Sequence, residues 1–311
     1  MTRAAAIDCG TNSIRLLVAD ADPATGELVD LDRRMTIVRL GQGVDKTGRL
    51  APEALERTFA ACREYAEAIK AHGAEKVRFV ATSASRDAEN RDEFVAGVRE
   101  ILGVEPEVIT GEEEAELSFS GATAEVQTGD PEPHSERFLV IDVGGGSTEF
   151  VTGSSTVESA RSVDIGCVRL TERHGLTGDP LTGEQIAAVR ADIDKALDEV
   201  AETVPLTDAH TVVGLAGTVT TLAGIALGLP AYDSAAIHRS MLAYHQVKSI
   251  TNRLIRATHA ERAAIPVMHP GRVDVICAGA LIVLAIMERT GARDIVVSEH
   301  DILDGILWSL V

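Results

Sequence analysis

Two copies of one short sequence pattern, one in each half of the chain, limit the fold more than any other feature. The segments are IDCGTNSIRLLV at 7–18 and IDVGGGSTEFV at 141–151. Each predicts a strand that ends in an aspartate, a glycine-containing turn and a second strand. Asp8 and Asp142 take the same place in the two copies. An internal duplication of this kind predicts two like-built domains whose turns face one cleft.

Strands alternate with helices through the rest of both halves, which is typical of an α/β fold. The predicted strands are 3–9, 14–19, 28–38, 76–81, 107–109, 137–142, 148–152, 211–215 and 294–298. Apolar residues at helical spacing predict helices that begin near 52, 91, 111, 182, 217 and 302.

A segment with two prolines and a glycine, VQTGDPEPHSE at 126–136, separates the halves and predicts a linker. We therefore expect domain I over 1–125 and domain II over 126–311. Two alternatives are open for the apolar C-terminal segment 302–311. It packs back onto its own chain, domain I included, or it packs onto a partner in a homodimer.

The charge balance excludes several classes of ligand. The chain has 29 Lys and Arg against 48 Asp and Glu, a net charge of −19. Such a charge opposes non-specific binding to nucleic acid or to an anionic membrane. The longest apolar run, 275–287, is shorter than the ~18–20 residues of a bilayer span. With no signal peptide and four scattered cysteines, we expect a cytoplasmic protein that holds any anionic ligand through backbone amides, a metal or a few arginines.

The two glycine turns are the first candidates for such an anion site. Consecutive N–H groups and hydroxyls in a turn of this kind can surround a phosphate without basic side chains. The candidate phosphate ligands are Gly10, Thr11, Asn12 and Ser13 in the first turn, and Gly144, Gly145, Gly146, Ser147 and Thr148 in the second. Asp8 and Asp142 suit Mg²⁺ bound through water. The alternative is a pair of plain hairpins, but two matching copies favour the phosphate site.

Three further segments could complete this site. In VVGLAGTVTTLAG at 212–224, a helix begins at Gly217 and Thr218, where its free amides favour an anion. Arg86 follows a strand end and could hold a phosphate together with Ser83. Arg15 lies just after the first turn. Arg169 and Arg173 extend a basic track for a longer polyphosphate or form surface ion pairs.

These segments together resemble the exopolyphosphatase/guanosine pentaphosphate phosphohydrolase (Ppx/GppA) family. The motifs that carry the resemblance are IDCGTNSIRLLV, ATSASRDAEN at 81–90, ITGEEEAELSFSGA at 109–122, VIDVGGGSTEFV at 140–151, DIGCVRLTERH at 164–174 and GLAGTVTTLA at 214–223. The resemblance implies an α/β fold with two actin-like (ribonuclease H-like) domains around a central cleft, in the sugar kinase/actin ATPase superfamily. It implies removal of terminal phosphates from inorganic polyphosphate or guanosine pentaphosphate, with Mg²⁺.

The same resemblance implies a short-form enzyme. Long members of the family carry an additional C-terminal helical domain with an HD-like fold, and this chain ends without it. The short form implies a preference for short polyphosphate chains.

Of three successive glutamates, Glu114 is the candidate catalytic residue. Glu112 and Glu113 are explained by the helix dipole and by a capping box with Thr110. Glu114 shares a helical face with the small residues Ser118 and Gly121, which suit a carboxylate directed into a cleft. The resemblance implies that the glutamate before the alanine in GEEEA, Glu114, is the family's catalytic residue, and a general base is its expected role.

By the same resemblance, Asp142 and Glu149 match the family's metal-site carboxylates. For Glu149 an ordinary solvent-facing strand residue is the alternative. The histidines form no metal-ligand pattern. The competing functions are guanosine pentaphosphate hydrolysis, which uses the same residues, and, from other classes, an actin-fold kinase or a sensor that binds nucleotide or polyphosphate.

Overall fold

The computed structural model describes residues 1–127, 137–176 and 179–311. Its strands are β1 (Thr2–Cys9), β2 (Ser13–Asp22), β3 (Glu27–Ile37), β4 (Lys76–Ala81), β5 (Glu107–Val108), β6 (Phe138–Val143), β7 (Thr148–Gly153), β8 (Val157–Val163), β9 (Thr211–Leu215), β10 (Met241–Ala243) and β11 (Asp294–Val297). Its helices are α1 (Val44–Thr47), α2 (Pro52–His72), α3 (Ser83–Asp87), α4 (Arg91–Leu102), α5 (Gly111–Gln127), α6 (Cys167–Arg173), α7 (Gly183–Ala201), α8 (Ala216–Ala226), α9 (Ser234–Ile237), α10 (Tyr244–Arg256), α11 (His259–Ala263), α12 (Ile276–Thr290) and α13 (Ile302–Trp308). The predicted α/β class, with one sheet in each half, is confirmed.

The chain divides into two compact units. Unit 1 comprises Met1–Asp130 with Asp301–Val311, and unit 2 comprises Pro131–His300. The predicted domains, 1–125 and 126–311, differ from this division near the boundary and at the C-terminus, which belongs to unit 1. From residue 128 onward, the predicted linker lies outside the described residues.

Unit 1 is a sheet with helices on both faces. The strand order is β3-β2-β1-β4-β5, with β1 antiparallel to β2 and parallel to β4. Side chains along β1 alternate between the faces because a strand has a period of two. Ala5, Ile7 and Cys9 belong to the core under α2 and α4, whereas Ala4 and Ala6 pack with α13. Small alanines let α13 approach the sheet closely.

Unit 2 repeats this plan. Its strand order is β10-β11-β9-β6-β7-β8, with β6 antiparallel to β7 and parallel to β9. The hairpin β6–β7 therefore has the same place in its sheet as β1–β2 has in unit 1. The helices α7, α8, α10 and α12 contribute to one apolar core with β6. Two like-built units follow from the duplicated hairpin, as the sequence predicts.

The C-terminal segment packs within unit 1. Ile302, Leu303, Ile306 and Leu307 are buried on α13. This apolar face is covered by its own unit, as in the alternative that the segment packs back onto domain I. Within the described ranges, no helix has the length and apolar character that crossing a membrane requires.

Close packing of α5 against α13 depends on two glycines. A Cβ on Gly121 would lie 1.9 Å from the Asp301 carbonyl oxygen, and one on Gly305 would lie 2.0 Å from the Leu117 carbonyl oxygen. Any larger residue at either position would force the helices apart. Gly121 is therefore small because α13 crosses there. The interpretation that Gly121 makes room beside a carboxylate in a cleft is wrong.

Candidate active site

The first turn directs its carbonyl groups to one side. The Gly10 N–H donates to the Ser13 carbonyl at 3.0 Å. The Thr11 and Asn12 carbonyls accept from backbone amides of 38–41, at 2.9 to 3.1 Å. The C=O and N–H of a trans peptide point in opposite directions. The amides that follow these two carbonyls are therefore directed away from 38–41, in the arrangement that an anion needs.

The second turn is built in the same way in unit 2. The Gly144 N–H donates to the Ser147 carbonyl at 3.1 Å. The carbonyls of 144–146 accept from the amides of 167–169 and from the Arg169 side chain, at 2.7 to 3.1 Å. Its amides are directed away from α6 for the same reason. The duplication thus extends from sequence to the hydrogen bonds of the turns.

Two contacts hold the second turn against the chain that follows it. A Cβ on Gly166 would lie 2.2 Å from the Gly145 carbonyl oxygen, so only glycine fits at 166. The Thr148 hydroxyl donates to the Ile165 carbonyl. Thr148, a predicted phosphate ligand, therefore uses its hydroxyl hydrogen inside the protein.

Two of the predicted phosphate-binding segments meet within unit 1. The Thr11 and Ser83 hydroxyls are 2.9 Å apart and buried, which joins the first turn to the start of α3. The Thr82 N–H donates to the Cys9 carbonyl at 3.2 Å, which anchors α3 at the end of β1. Next to these contacts, the Asn12 Oδ1 is buried and accepts no hydrogen bond from the described residues.

Glu114 is set apart from its two neighbours by burial. It is 8% exposed, and Arg86 Nη1 donates to its Oε2 at 3.2 Å. The same Arg86 nitrogen donates to the Ile109 carbonyl at 2.9 Å, so the guanidinium has a fixed position. Glu112 is exposed, and Glu113 pairs with Arg78 at 2.8 Å. Arg86 and Ser83 lie on one short helix, so the glutamate and the first turn are connected through α3.

Arg15 lies near the first turn as predicted, and it binds two carboxylates. Its Nε and Nη2 donate to Asp8 Oδ2 at 3.0 and 2.6 Å, and its Nη1 donates to Asp301 Oδ2. Burial raises the pKa of the Asp8 carboxyl, and the neighbouring guanidinium only partly offsets this effect. Burial lowers the pKa of Arg15, but the two carboxylates outweigh it, so the pKa lies above its ordinary value.

The second copy of the hairpin has a pair of carboxylates. Asp142 and Glu149 are direct cross-strand partners on β6 and β7. They are 7% and 1% exposed, so the alternative of a solvent-facing Glu149 is wrong. The Ser162 hydroxyl donates to Glu149 Oε1 at 2.7 Å. Side chains opposite each other on antiparallel strands have Cβ atoms about 5 Å apart, close enough for two carboxylates to share a cation or a proton.

No ready-made cage for a metal ion occurs in the part of the chain that the structure describes. There, no group of three or more His, Cys, Asp or Glu side chains lies close enough to hold an ion. Asp8, Asp142 and Glu149 therefore provide too few ligands within either unit by themselves. Water and substrate oxygens would have to complete a coordination shell.

The third predicted element carries a feature that the sequence did not reveal. A Cβ on Gly217 would lie 1.6 Å from Arg272 Nη2, so this guanidinium lies against the N-terminal turn of α8. Thr218 is buried beside Gly279. Ala216, at the start of the helix, has a φ of +64°, a conformation that few non-glycine residues adopt and that is concentrated at functional sites.

Three residues near these turns were missed at the sequence level: Arg39, Arg272 and Asp301. Arg39 donates its N–H to the Asn12 carbonyl and has a φ of +50°. Arg272 follows a Pro-Gly pair between helices, and no periodic pattern marks it.

Arg173 is one of the two arginines of the predicted basic track. It forms an ion pair with Asp192 at 2.9 Å, as in the alternative of surface ion pairs.

Comparisons with known proteins identify the family of this chain. A model of the Ppx/GppA phosphatase family matches residues 17–311. The chain is 53% identical over 322 aligned positions to Exopolyphosphatase 2 of Mycobacterium tuberculosis H37Rv, covering 100% of this chain and 99% of the relative.

Two solved structures are similar over almost the full length. One is an exopolyphosphatase-like protein with a TM-score of 0.92 and 44% identity, covering 99% of this chain and 98% of the other. The second is a Ppx/GppA protein of Aquifex aeolicus with a TM-score of 0.81 and 33% identity, covering 99% and 97%.

Proposed function

The chain is a member of the Ppx/GppA phosphatase family, and from this premise we propose that it is an exopolyphosphatase. It hydrolyses the terminal phosphoanhydride bond of inorganic polyphosphate, with short chains as the preferred substrate. Membership of the family supports a phosphoanhydride hydrolase, and the 53% identity to an exopolyphosphatase supports the choice of substrate.

One observation carries the mechanism. Within unit 1, a buried contact between Thr11 and Ser83 joins the first turn to α3, and a partly buried contact joins Arg86 on that helix to Glu114. The turn that we propose for phosphate binding and a buried carboxylate are thus connected by a single short helix. A fixed carboxylate near bound phosphate can accept a proton from water, and a neighbouring arginine can hold phosphate oxygens.

The proposed step is an in-line displacement by water. A water oxygen attacks the terminal phosphorus while its proton passes to a Glu114 oxygen. The bond between that phosphorus and the bridging oxygen breaks, and the polyphosphate leaves with one phosphate fewer. In unit 1, the turn amides at 11–13 and Arg86 stabilise the charge on phosphate oxygens. Unit 2 offers the turn amides at 145–148 and the start of α8 at Gly217 and Thr218 for the same purpose. The Gly10 and Gly144 amides already donate to the Ser13 and Ser147 carbonyls, so these two glycines contribute to the turns and not to phosphate binding through their N–H groups. Positioning and charge stabilisation are the main contributions that a protein can make to this reaction.

The residues present fit a Mg²⁺ ion. The candidate ligands are the Asp8 carboxylate in unit 1 and, separately, the Asp142 and Glu149 carboxylates in unit 2, and hard divalent cations prefer oxygen. The buried Asn12 Oδ1, which lacks a donor among the described residues, is a further oxygen that suits a cation. When bound, Mg²⁺ would neutralise phosphate charge and polarise the scissile bond. The strongly negative chain makes such an ion useful for holding an anionic substrate.

We propose that the enzyme works in the cytoplasm, and its net charge of −19 supports a role with neither nucleic acid nor an anionic membrane as a partner. The expectation of a homodimer loses its sequence argument because α13 is buried in unit 1.

The test is phosphate release with Mg²⁺ from a short linear polyphosphate, from guanosine pentaphosphate and from ATP. The proposal requires release from polyphosphate that is abolished in Glu114→Gln. A preference for guanosine pentaphosphate would leave the proposed roles of the residues unchanged, but it would replace polyphosphate as the proposed substrate. No release from any of the three would exclude the hydrolase and favour a kinase or a sensor.

A further inference from the structure

Asp301 connects three elements of unit 1. Its Oδ1 accepts from the Leu303 N–H at 3.0 Å and caps α13, and its Oδ2 accepts from Arg15 Nη1. Its carbonyl oxygen occupies the space that a side chain on Gly121 would need. Gly121 lies on α5, the helix that carries Glu114. One buried residue therefore contacts the arginine beside Asp8 and the helix of the candidate base.

Arg15 distributes its N–H donors between the Asp8 and Asp301 carboxylates in an uneven way. A guanidinium and a carboxylate that meet alone often form two parallel bonds, one to each oxygen. Here Nη1 is taken by Asp301, and the Nε and Nη2 bonds to Asp8 both end on Oδ2. The arginine thus holds Asp8 through one oxygen. Two carboxylates that share one guanidinium also keep a net negative charge, which attracts a cation.

From this geometry we propose that Asp301 is a positioning residue: by sharing Arg15 with Asp8, it keeps one Asp8 oxygen and its negative charge available to a divalent cation. The inference rests on the proposed function, because the cation is the one that we propose for phosphate release. Without the Asp301 charge, the Arg15 guanidinium would donate to both oxygens of Asp8 and would compete with the metal for them.

Asp304 provides a matched control. It is fully buried on the same helix and also pairs with an arginine, Arg33, at 2.5 Å. The other carboxylate on Arg33 is Asp30, which is not a site residue. Asp304→Asn therefore removes a comparable buried ion pair that does not involve Asp8 or Arg15. Asp304 Oδ2 also accepts from the Asp301 N–H at 2.9 Å, a bond that the amide oxygen of asparagine can still accept. Asparagine also caps helices well, so Asp301→Asn keeps the cap and the side-chain volume and removes the charge.

The experiment measures binding of Mn²⁺, as a paramagnetic probe of the cation site, to the full-length protein without substrate. Asp301→Asn should weaken Mn²⁺ binding about tenfold, the usual scale for a residue that supports a metal ligand. Asp304→Asn should leave Mn²⁺ affinity within about twofold of wild type, although it loses a buried ion pair. Unchanged affinity in Asp301→Asn, equal losses in both variants, or no Mn²⁺ binding by wild type would each overturn the proposal.

A second variant keeps the test decisive if Asp301→Asn does not fold. Arg15→Gln removes the competitor of the cation, so Mn²⁺ affinity should rise, and the double variant with Asp301→Asn should recover the lost affinity. A fall in affinity in Arg15→Gln would overturn the proposal. Because Mn²⁺ binding needs no turnover, failure of the proposed function can be distinguished from failure of the proposed role of Asp301. Wild type that releases no phosphate rejects the proposed function, whereas active wild type with an unaffected Asp301→Asn rejects only the role of Asp301.

Discussion

Glu149 lies directly opposite Asp142 across β6 and β7, at the place where unit 1 has Arg15 opposite Asp8. The two hairpins have the same turn and the same register, but their cross-strand pairs have opposite electrostatics. Asp8 is matched by a guanidinium, whereas Asp142 faces a second buried carboxylate. The duplicated hairpins therefore place different charges at corresponding positions of the two units.

The first prediction follows from this carboxylate pair. In Asp142→Asn, one carboxylate of the pair becomes an uncharged amide, which is a weaker ligand for a hard divalent cation. The cost should appear with metal: the increase in Tm on adding Mg²⁺ should largely disappear, and phosphate release should require more Mg²⁺. Differential scanning fluorimetry with and without Mg²⁺ measures the stability, and Glu158→Gln on the neighbouring strand is the control. A full Mg²⁺-dependent rise in Tm in Asp142→Asn would contradict the metal role.

The second prediction concerns the general base. Glu114→Gln keeps the side-chain volume and can still accept from Arg86, but it cannot take a proton. We expect kcat to fall ~10²–10⁴-fold while the fold is retained. The control is Glu112→Gln, in the same first turn but exposed to solvent, which should keep wild-type kcat. Phosphate-release kinetics at saturating Mg²⁺ measure kcat for both variants. Wild-type turnover in Glu114→Gln would show that Glu114 is not the general base.

The third prediction tests the helix crossing that supports the site. Gly121→Ala places a methyl group 1.9 Å from the Asp301 carbonyl oxygen, which is backbone and cannot rotate away. The free energy of unfolding should fall by about 1–3 kcal/mol, as in other overpacked cores. Gly183→Ala is the matched control, because it is also helical and has no atom within 4 Å of the added Cβ. Urea unfolding of both variants gives the comparison, and equal stability would mean that the helices separate easily.

The fourth prediction concerns alkaline stability. Burial raises the pKa of the Cys62 thiol from 9.0 to about 12 and that of the Tyr65 phenol from 10.0 to about 12. The folded state therefore keeps protons that the unfolded state releases. Their stabilising contribution is complete below about pH 9 and is lost as the pH approaches 12. Each group contributes a slope of about 1.4 kcal/mol per pH unit between its unfolded and folded pKa.

Tyr65→Phe tests this linkage through the phenol. The variant loses the hydrogen bond from Tyr65 to the Ile14 carbonyl, so it should be about 1 kcal/mol less stable at pH 7. Above pH 10 the decline in stability should be shallower than in wild type, because the proton of the Tyr65 phenol no longer contributes to it. Urea unfolding at a series of pH values measures both effects, and a parallel decline in the two proteins would contradict the buried titration.

Local sequence signals determined the elements, the duplication and the candidate glutamate. The bounds of β4 and β9 agree with prediction to the residue, and α7, predicted to begin near 182, begins at Gly183 after a capping box of Thr182 and Gln185. These features depend on neighbours within a few positions: alternation in a strand, helical spacing, and a threonine followed by a glutamine. Such short-range preferences can be read without knowing what the chain packs against.

Tertiary structure alone decided which distant side chains meet. Arg15 contacts Asp301 at a separation of 286 residues, and Gly121 meets the Asp301 backbone only because the last helix returns to the first sheet. The sequence identified Arg15 as a residue near the turn, but its carboxylate partners depend on strand order and on the path of α13. Long-range contacts arise from packing of whole elements, and no local pattern encodes their pairing.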